Sequence, residues 1–200
     1  MKKLRTICIL FFLLSLISIP TFAQSYNLRL LFHGVKNIPD SDFGIATWTV
    51  CPNMVSTPDK WFVVLGPRYS SHDVEQKSEW WLEAMGGIFM QKGKATPLID
   101  IRHSLTTDEI SRFLNVEWID PGKENSIYVF YSIDYSPSLI KNIGAIGIET
   151  ENTLKGKNET VSIGPHVVLP LNNSTLVIAY QFHLMTGRSD QIWARVVVNF

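Results

Sequence analysis

Cysteine is nearly absent from this chain: there are two in 200 residues, Cys8 and Cys51. Cys8 lies in the apolar N-terminal run discussed below, so the rest of the chain has a single thiol and no internal disulfide can staple it. Long apolar runs are also scarce beyond that first segment. Nothing there approaches the roughly 18 apolar residues of a spanning helix, so no helical membrane anchor is expected. A surplus of positive charge is missing, with 18 Lys and Arg against 18 Asp and Glu. That balance gives no reason to expect a nucleic-acid partner or a polybasic membrane contact. Metal-ligand spacings such as H-x-H or H-E-x-x-H do not occur, and neither a metal nor a cofactor is expected. No stretch sustains a helical period; residues 72–79 and 105–112 offer a single turn at most.

The first segment has its own logic. Lys2, Lys3 and Arg5 precede the apolar run "TICILFFLLSLISI", and Thr21 and Ala23 are small residues before Gln24. This order predicts a secretory signal peptide over residues 1–23. Its removal takes three of the 18 basic residues and leaves 15 against 18 acidic, a net charge of −3.

Period-2 alternation fills the remainder in about ten runs separated by turn signals. "TLVIAYQFHL" sets Leu176, Ile178, Tyr180, Phe182 and Leu184 on one face. "TVSIGPHVVL" sets Val161, Ile163, Pro165, Val167 and Leu169 on one face, and "IYVFYSIDY" does the same with Ile127, Val129, Tyr131, Ile133 and Tyr135. Further runs span 26–33, 60–70, 79–91, 96–104, 110–119, 141–151 and the last ten residues. "QKGKA", "DPGKEN", "YSPSL" and "PLNNS" are among the connections. Strands this uniform predict an all-β fold: an antiparallel up-and-down barrel of about ten strands, with eight or twelve as alternatives. Residues 24–200 form one barrel domain on this reading, with a long first loop around 34–59. That loop holds "FGIATWTVC", which itself alternates and reads as a hairpin arm, an extra strand or the true first strand.

Alternation does not say which face is inside. A soluble barrel packs its apolar face inward, whereas a membrane barrel turns it to lipid. With the more apolar face outward, Arg29, Arg68, Glu83, Asp100, Arg102, Glu117, Asp134, Glu149 and Arg195 all point into the lumen, and only Arg112, at a strand end, points out. The lysines fall in connections or at strand edges. Trp61 and Trp118 sit near one set of strand ends, and Tyr69, Trp80, Tyr135 and Phe200 near the other, as two interfacial girdles would. These features predict a transmembrane barrel.

In these respects the chain resembles the small outer-membrane β-barrel proteins of bacteria, from about residue 26 to 200. Members of that family characteristically end on a strand whose last residue is aromatic and is read by the barrel-assembly machinery. "WARVVVNF" fits, with Val196 and Val198 on the face of Phe200. The resemblance implies an outer-membrane address after signal cleavage, with membrane lipid and the assembly machinery as partners; the alternative address is periplasmic or extracellular. It also implies both termini at the periplasmic end and an even strand number.

A barrel of this size is filled by side chains. Arg29, Arg68, Glu83, Asp100, Arg102 and Asp134 are expected as a paired plug in the periplasmic half, with Arg195 completing the lumen charges. His33, Glu117, Glu149, Glu151 and His183 are expected toward the external rim, and a His beside a carboxylate there is the candidate general base. "GPRY" and "GPHV" place Gly-Pro within strands and read as barrel curvature. The leading functional expectation is a structural, adhesive or ligand-binding barrel with an unidentified ligand. The rivals are an outer-membrane hydrolase using His183, Glu149, Glu117 or His33, and a soluble lipocalin-like barrel binding an apolar ligand.

Overall fold

The computed structural model describes residues 25–120, 125–138, 140, 143–155, 159–185 and 187–200. The signal segment, its cut before Gln24 and parts of four connections lie outside the described residues. Eleven strands follow one another: β1 (Ser25–Asn37), β2 (Phe43–Cys51), β3 (Trp61–Asp73), β4 (Ser78–Gln91), β5 (Lys94–Thr106), β6 (Ile110–Ile119), β7 (Ser126–Tyr135), β8 (Ala145–Lys155), β9 (Thr160–Leu171), β10 (Ser174–His183) and β11 (Gln191–Asn199). Neighbours in sequence pair antiparallel, and β11 closes on β1 to complete a barrel. The described residues contain no helix; 72–79 and 105–112 belong to strands and hairpin turns.

Two expectations are corrected here. Among the described residues the strand count is eleven and not an even number, because Phe43–Cys51 is a full strand paired to β1 and β3. The long loop around 34–59 therefore divides into the end of β1, the turn 38–42, β2 and the loop 52–60. Closure is also not antiparallel throughout. An odd number of strands in a meander makes the first and last run the same way, so the β1–β11 seam is parallel, from Ser25↔Gln191 to His33↔Asn199. The two termini consequently lie at opposite ends of the barrel. We call these the N-end, where β1 starts, and the C-end, where β11 stops.

Turn chemistry sets the hairpins. Lys92 and Gly93 both take positive φ, 49° and 74°, as a two-residue type I′ turn between β4 and β5 requires. Asp73 Oδ1 accepts the N–H groups of Glu75 and Gln76 at 2.9 and 3.0 Å, which shapes the β3–β4 turn.

Alternation then sorts the side chains. Leu65 and Ile148 face outward at 58% and 59% exposure, while Glu83 and Asp100 face inward at 0%. All outward positions of β4 from Trp80 to Met90 are apolar. Ten residues at about 3.3 Å each, tilted about 40°, span about 25 Å along the axis, the height of a lipid-facing band. At the C-end, outward Phe43, Tyr69, Trp80 and His103 form a continuous ring row, with centroid separations of 5.1, 5.2 and 6.1 Å. Trp61, Trp118 and Tyr26 stand exposed near the N-end.

The interior is more mixed than a purely polar lumen. Ala46, Trp48 and Val50 of β2 turn inward and pack with Phe62, Val64, Met85 and Leu98 into an apolar core along the inner wall of β2–β5. β2 has no charged side chain on either face, so it lacks the inward charge that marks most of the other strands.

Gly66-Pro67 and Gly164-Pro165 cut the ladder on one side each. Pairing of β3 with β4 skips from Leu65↔Gly86 to Arg68↔Glu83, and that of β10 with β9 from Ala179↔His166 to Phe182↔Ile163. Proline has no N–H to give the next strand, and the glycine lets the backbones press together. A Cβ on Gly164 would collide with the Tyr180 carbonyl, and one on Gly66 with that of Ala84.

Candidate functional site

The lumen holds the chemistry, arranged as two linked charge clusters. On the β1–β6 side, Glu83 accepts from Arg68 Nη1 at 2.6 Å, from Trp48 Nε1 at 2.7 Å, and lies 3.2 Å from His33 Nε2. Arg102 donates through Nε and Nη2 to Asp100 at 2.8–3.1 Å, and Glu117 lies 3.8 Å from it and accepts from Asn115 at 2.7 Å. Across the barrel, Arg195 donates through both Nη atoms to Glu149, and to Glu151 at 3.1 Å. Arg29 bonds Glu151 and donates to Tyr128 Oη at 2.9 Å. His166 joins Asp134 through Nε2, and its Nδ1 lies 3.2 Å from Glu149.

Each guanidinium also lies over an aromatic ring: Arg102 on Trp48 at 4.0 Å, Arg68 on Trp81 at 4.4 Å, Arg29 on Trp193 at 4.7 Å and Arg195 on Phe130 at 5.0 Å. The clusters thus hold four arginines, six carboxylates and two histidines. Buried charge on this scale survives only when nearly every group is paired, because an isolated ion in a low-dielectric interior costs several kcal/mol. Gly147 makes room for one link. A Cβ there would sit 2.6 Å from both Asp134 Oδ1 and His166 Nε2.

Arg29 does not fall where a plug in one half of the barrel would put it, whereas Asp134 stays in the C-end half with Arg68. Arg29 lies in the N-end half beside Glu151, and Asp134 takes a histidine partner instead of an arginine. The expected external rim also comes apart. His33 is in the C-end half, stacked on Trp48 at 4.0 Å and 3.3 Å from Asn199 Oδ1. The cause is β2: one extra strand reverses β1 relative to an even count and exchanges the heights of Arg29 and His33. His183 stays at the N-end, in a cleft of about 500 Å3 with Ser162, Arg188, Ser189 and Glu151.

These placements weigh on chemistry. Glu149 and Glu117 accept hydrogen bonds from Arg195, Gln181 and Asn115. His166 is tied to Asp134 through Nε2, and among the described residues no hydrogen bond joins either of its ring nitrogens to a serine hydroxyl, so it does not form a nucleophile–base pair there. Among the described residues no group of three His, Cys, Asp or Glu side chains is placed to hold a metal ion.

Several network members escaped the sequence reading. His166, Gln181, Tyr128, Asn115 and Trp48 were legible as inward positions only where their strands were recognised, and their partners depend on register. Two cavities flank the clusters. A C-end cup of about 480 Å3 and an N-end cavity of about 270 Å3 share Arg29, Leu31, Arg102, Asn115 and Tyr128 as the layer between them. Comparison of the chain with protein-family models, with curated proteins and with solved structures finds no match in any of the three.

Proposed function

We propose that this protein is an integral β-barrel of the bacterial outer membrane with a structural, adhesive or ligand-binding role and no catalysis. The observation that carries the reading is the inverted distribution of side chains. Glu83, Asp100, Arg102 and Glu149 are buried inside, while Leu65, Ile88, Ile101 and Ile148 stand at 45–59% exposure outside. A soluble lipocalin-like barrel needs the opposite arrangement, with an apolar ligand chamber and a wet exterior. The aromatic residues at both ends and the lysine-poor strands support the same address. Against the hydrolase alternative, His33 lies away from His183, and Glu149 and Glu117 are held by Arg195, Gln181 and Asn115, which supports the non-catalytic reading.

Val196 and Val198, outward on β11, and Phe200, which follows it, are the proposed contact for the assembly machinery. The layer between the two cavities makes the lumen a closed one on this reading. The test is fractionation of the expressed full chain with gel mobility in detergent before and after heating. Recovery with outer membranes and a heat-dependent mobility shift are expected. Recovery in the aqueous periplasmic fraction overturns the proposal.

A further inference from the structure

The C-end cup is built like a binding site, and its unspent polar groups are mostly donors. Its lining runs from Arg29 and Arg102 at mid-barrel to Ser111, Thr175 and Asn199 at strand ends, so it opens at the C-end. One wall is aromatic: Trp81, Phe113 and Phe130 stand in sequence with centroids 5.9 and 6.0 Å apart. Facing strands supply Val168, Val177 and Val197. A flat apolar body fits between such walls, and about 480 Å3 lies within the range of small-molecule sites.

The polar groups of the cup are unequally committed. Of the acids lining it, Asp134 is held by His166, and Glu149 by Arg195 and Gln181. Glu83 and Asp100 lie behind the lining at 0% exposure. Arg68 spends only Nη1, on Glu83, so its Nε and Nη2 have no acceptor among the described residues. The hydroxyls of Ser104 and Ser132 line the cup without a side-chain partner among those residues. Arg195 Nε is buried without a hydrogen-bond partner, as are Asn115 Oδ1, an acceptor, and His166 Nδ1, whose role depends on the tautomer. Surplus donors at the base of an apolar cup suit an anion far better than a cation.

We propose that the cup binds a small organic anion, a carboxylate on a flat apolar body. The carboxylate meets Arg68 and the body lies between the aromatic wall and the valines. This rests on the ligand-binding part of the reading above and not on the membrane address.

Calorimetric titration of the folded full chain in zwitterionic detergent tests it with three probes of one ring and different charge: naphthoate, naphthylmethanol and naphthylmethylamine. Naphthoate should bind at one site, about tenfold or more tighter than the alcohol, since a charge-assisted pair is at stake. The amine should not bind. Arg68→Gln should weaken naphthoate about tenfold and leave the alcohol unchanged. Val177→Phe, which fills the cup beside Arg195 without replacing any charged residue, should abolish both and serves if Arg68→Gln fails to fold. Equal binding of acid and alcohol, preference for the amine, or binding undiminished in Val177→Phe overturns the proposal. A chain recovered in the aqueous fraction that still binds naphthoate refutes the address and leaves this site standing. A chain in the outer membrane that binds none of the probes does the reverse.

Discussion

Leu65→Arg is the sharpest test of which solvent surrounds the barrel. Leu65 is 58% exposed on the outer face of β3. It lies four residues from outward Trp61 and four from outward Tyr69. At about 3.3 Å per residue and a tilt of about 40°, each aromatic is about 10 Å away along the axis, so Leu65 marks the middle of the band. An arginine there costs about 2–4 kcal/mol in a bilayer, about 30- to 900-fold in the folding equilibrium. In water the same change at an exposed strand position costs no more than about 0.5 kcal/mol. The two environments therefore differ by several-fold in a measurable quantity. The assay is reversible urea unfolding from liposomes, followed by tryptophan fluorescence. Ile110→Arg at the C-end rim of β6, beside the natural outward Arg112, is the control and should cost about 0–1 kcal/mol. A Leu65→Arg chain as stable as its parent, or a penalty equal to that of Ile110→Arg, refutes the lipid-facing assignment.

Other perturbations probe the interior and the seam. Glu149→Ala strips Arg195 of its principal partner at a position 1% exposed and should cost about 3–5 kcal/mol in urea unfolding, whereas Lys77→Ala in the exposed pair with Asp108 should cost less than about 1 kcal/mol. Gly164→Ala should lower the unfolding midpoint because a methyl there meets the Tyr180 carbonyl, while Gly86→Ala, with nothing within 4 Å of the added Cβ, should be neutral or slightly stabilising. Deleting Phe200 removes an exposed outward ring and two seam hydrogen bonds, and should reduce the heat-shifting fraction in membranes more than Arg195→Lys does; normal insertion of the deleted chain would refute an assembly role for Phe200.

The strands were legible because period-2 alternation is local: "TLVIAYQFHL" and "IYVFYSIDY" declare two faces without knowledge of any neighbour. β2 was harder for a physical reason. Its inward Ala46, Trp48 and Val50 are as apolar as its outward Phe43 and Ile45, so it carries no charge contrast. Partnerships were not legible at all, because they depend on register and direction. Arg29 reads as an inward arginine from β1 alone, but its pairing with Glu151 exists only once β2 reverses β1. Asp134 and His166 meet because β7, β8 and β9 align Asp134 with Gly147 and Gly147 with His166, and the glycine leaves the gap between them.

The parallel seam follows from the same extra strand and ties the two faces of the wall together. Its register sets Asn199 opposite His33, and the chain continues so that Phe200 N–H reaches the His33 carbonyl at 3.1 Å. Val35 N–H returns to the Phe200 carbonyl at 3.4 Å. Opposite Phe200 stands Gly34, and the ring lies over it at contact distance: a Cβ built there would be 3.5 Å from the ring and 3.2 Å from the Thr47 methyl. A bare glycine on an outward strand face is thereby covered by an aromatic, which offsets the weakness of glycine in a strand. On the inner face of the same seam, His33 carries the link onward to Glu83, and through it to Arg68 and Trp48. The last residue of the chain therefore shares one ladder with the buried charge cluster. A slip of one residue at this seam would expose His33 to the outer face and uncover Gly34 together, so the outward aromatic and the inward histidine specify the same closure.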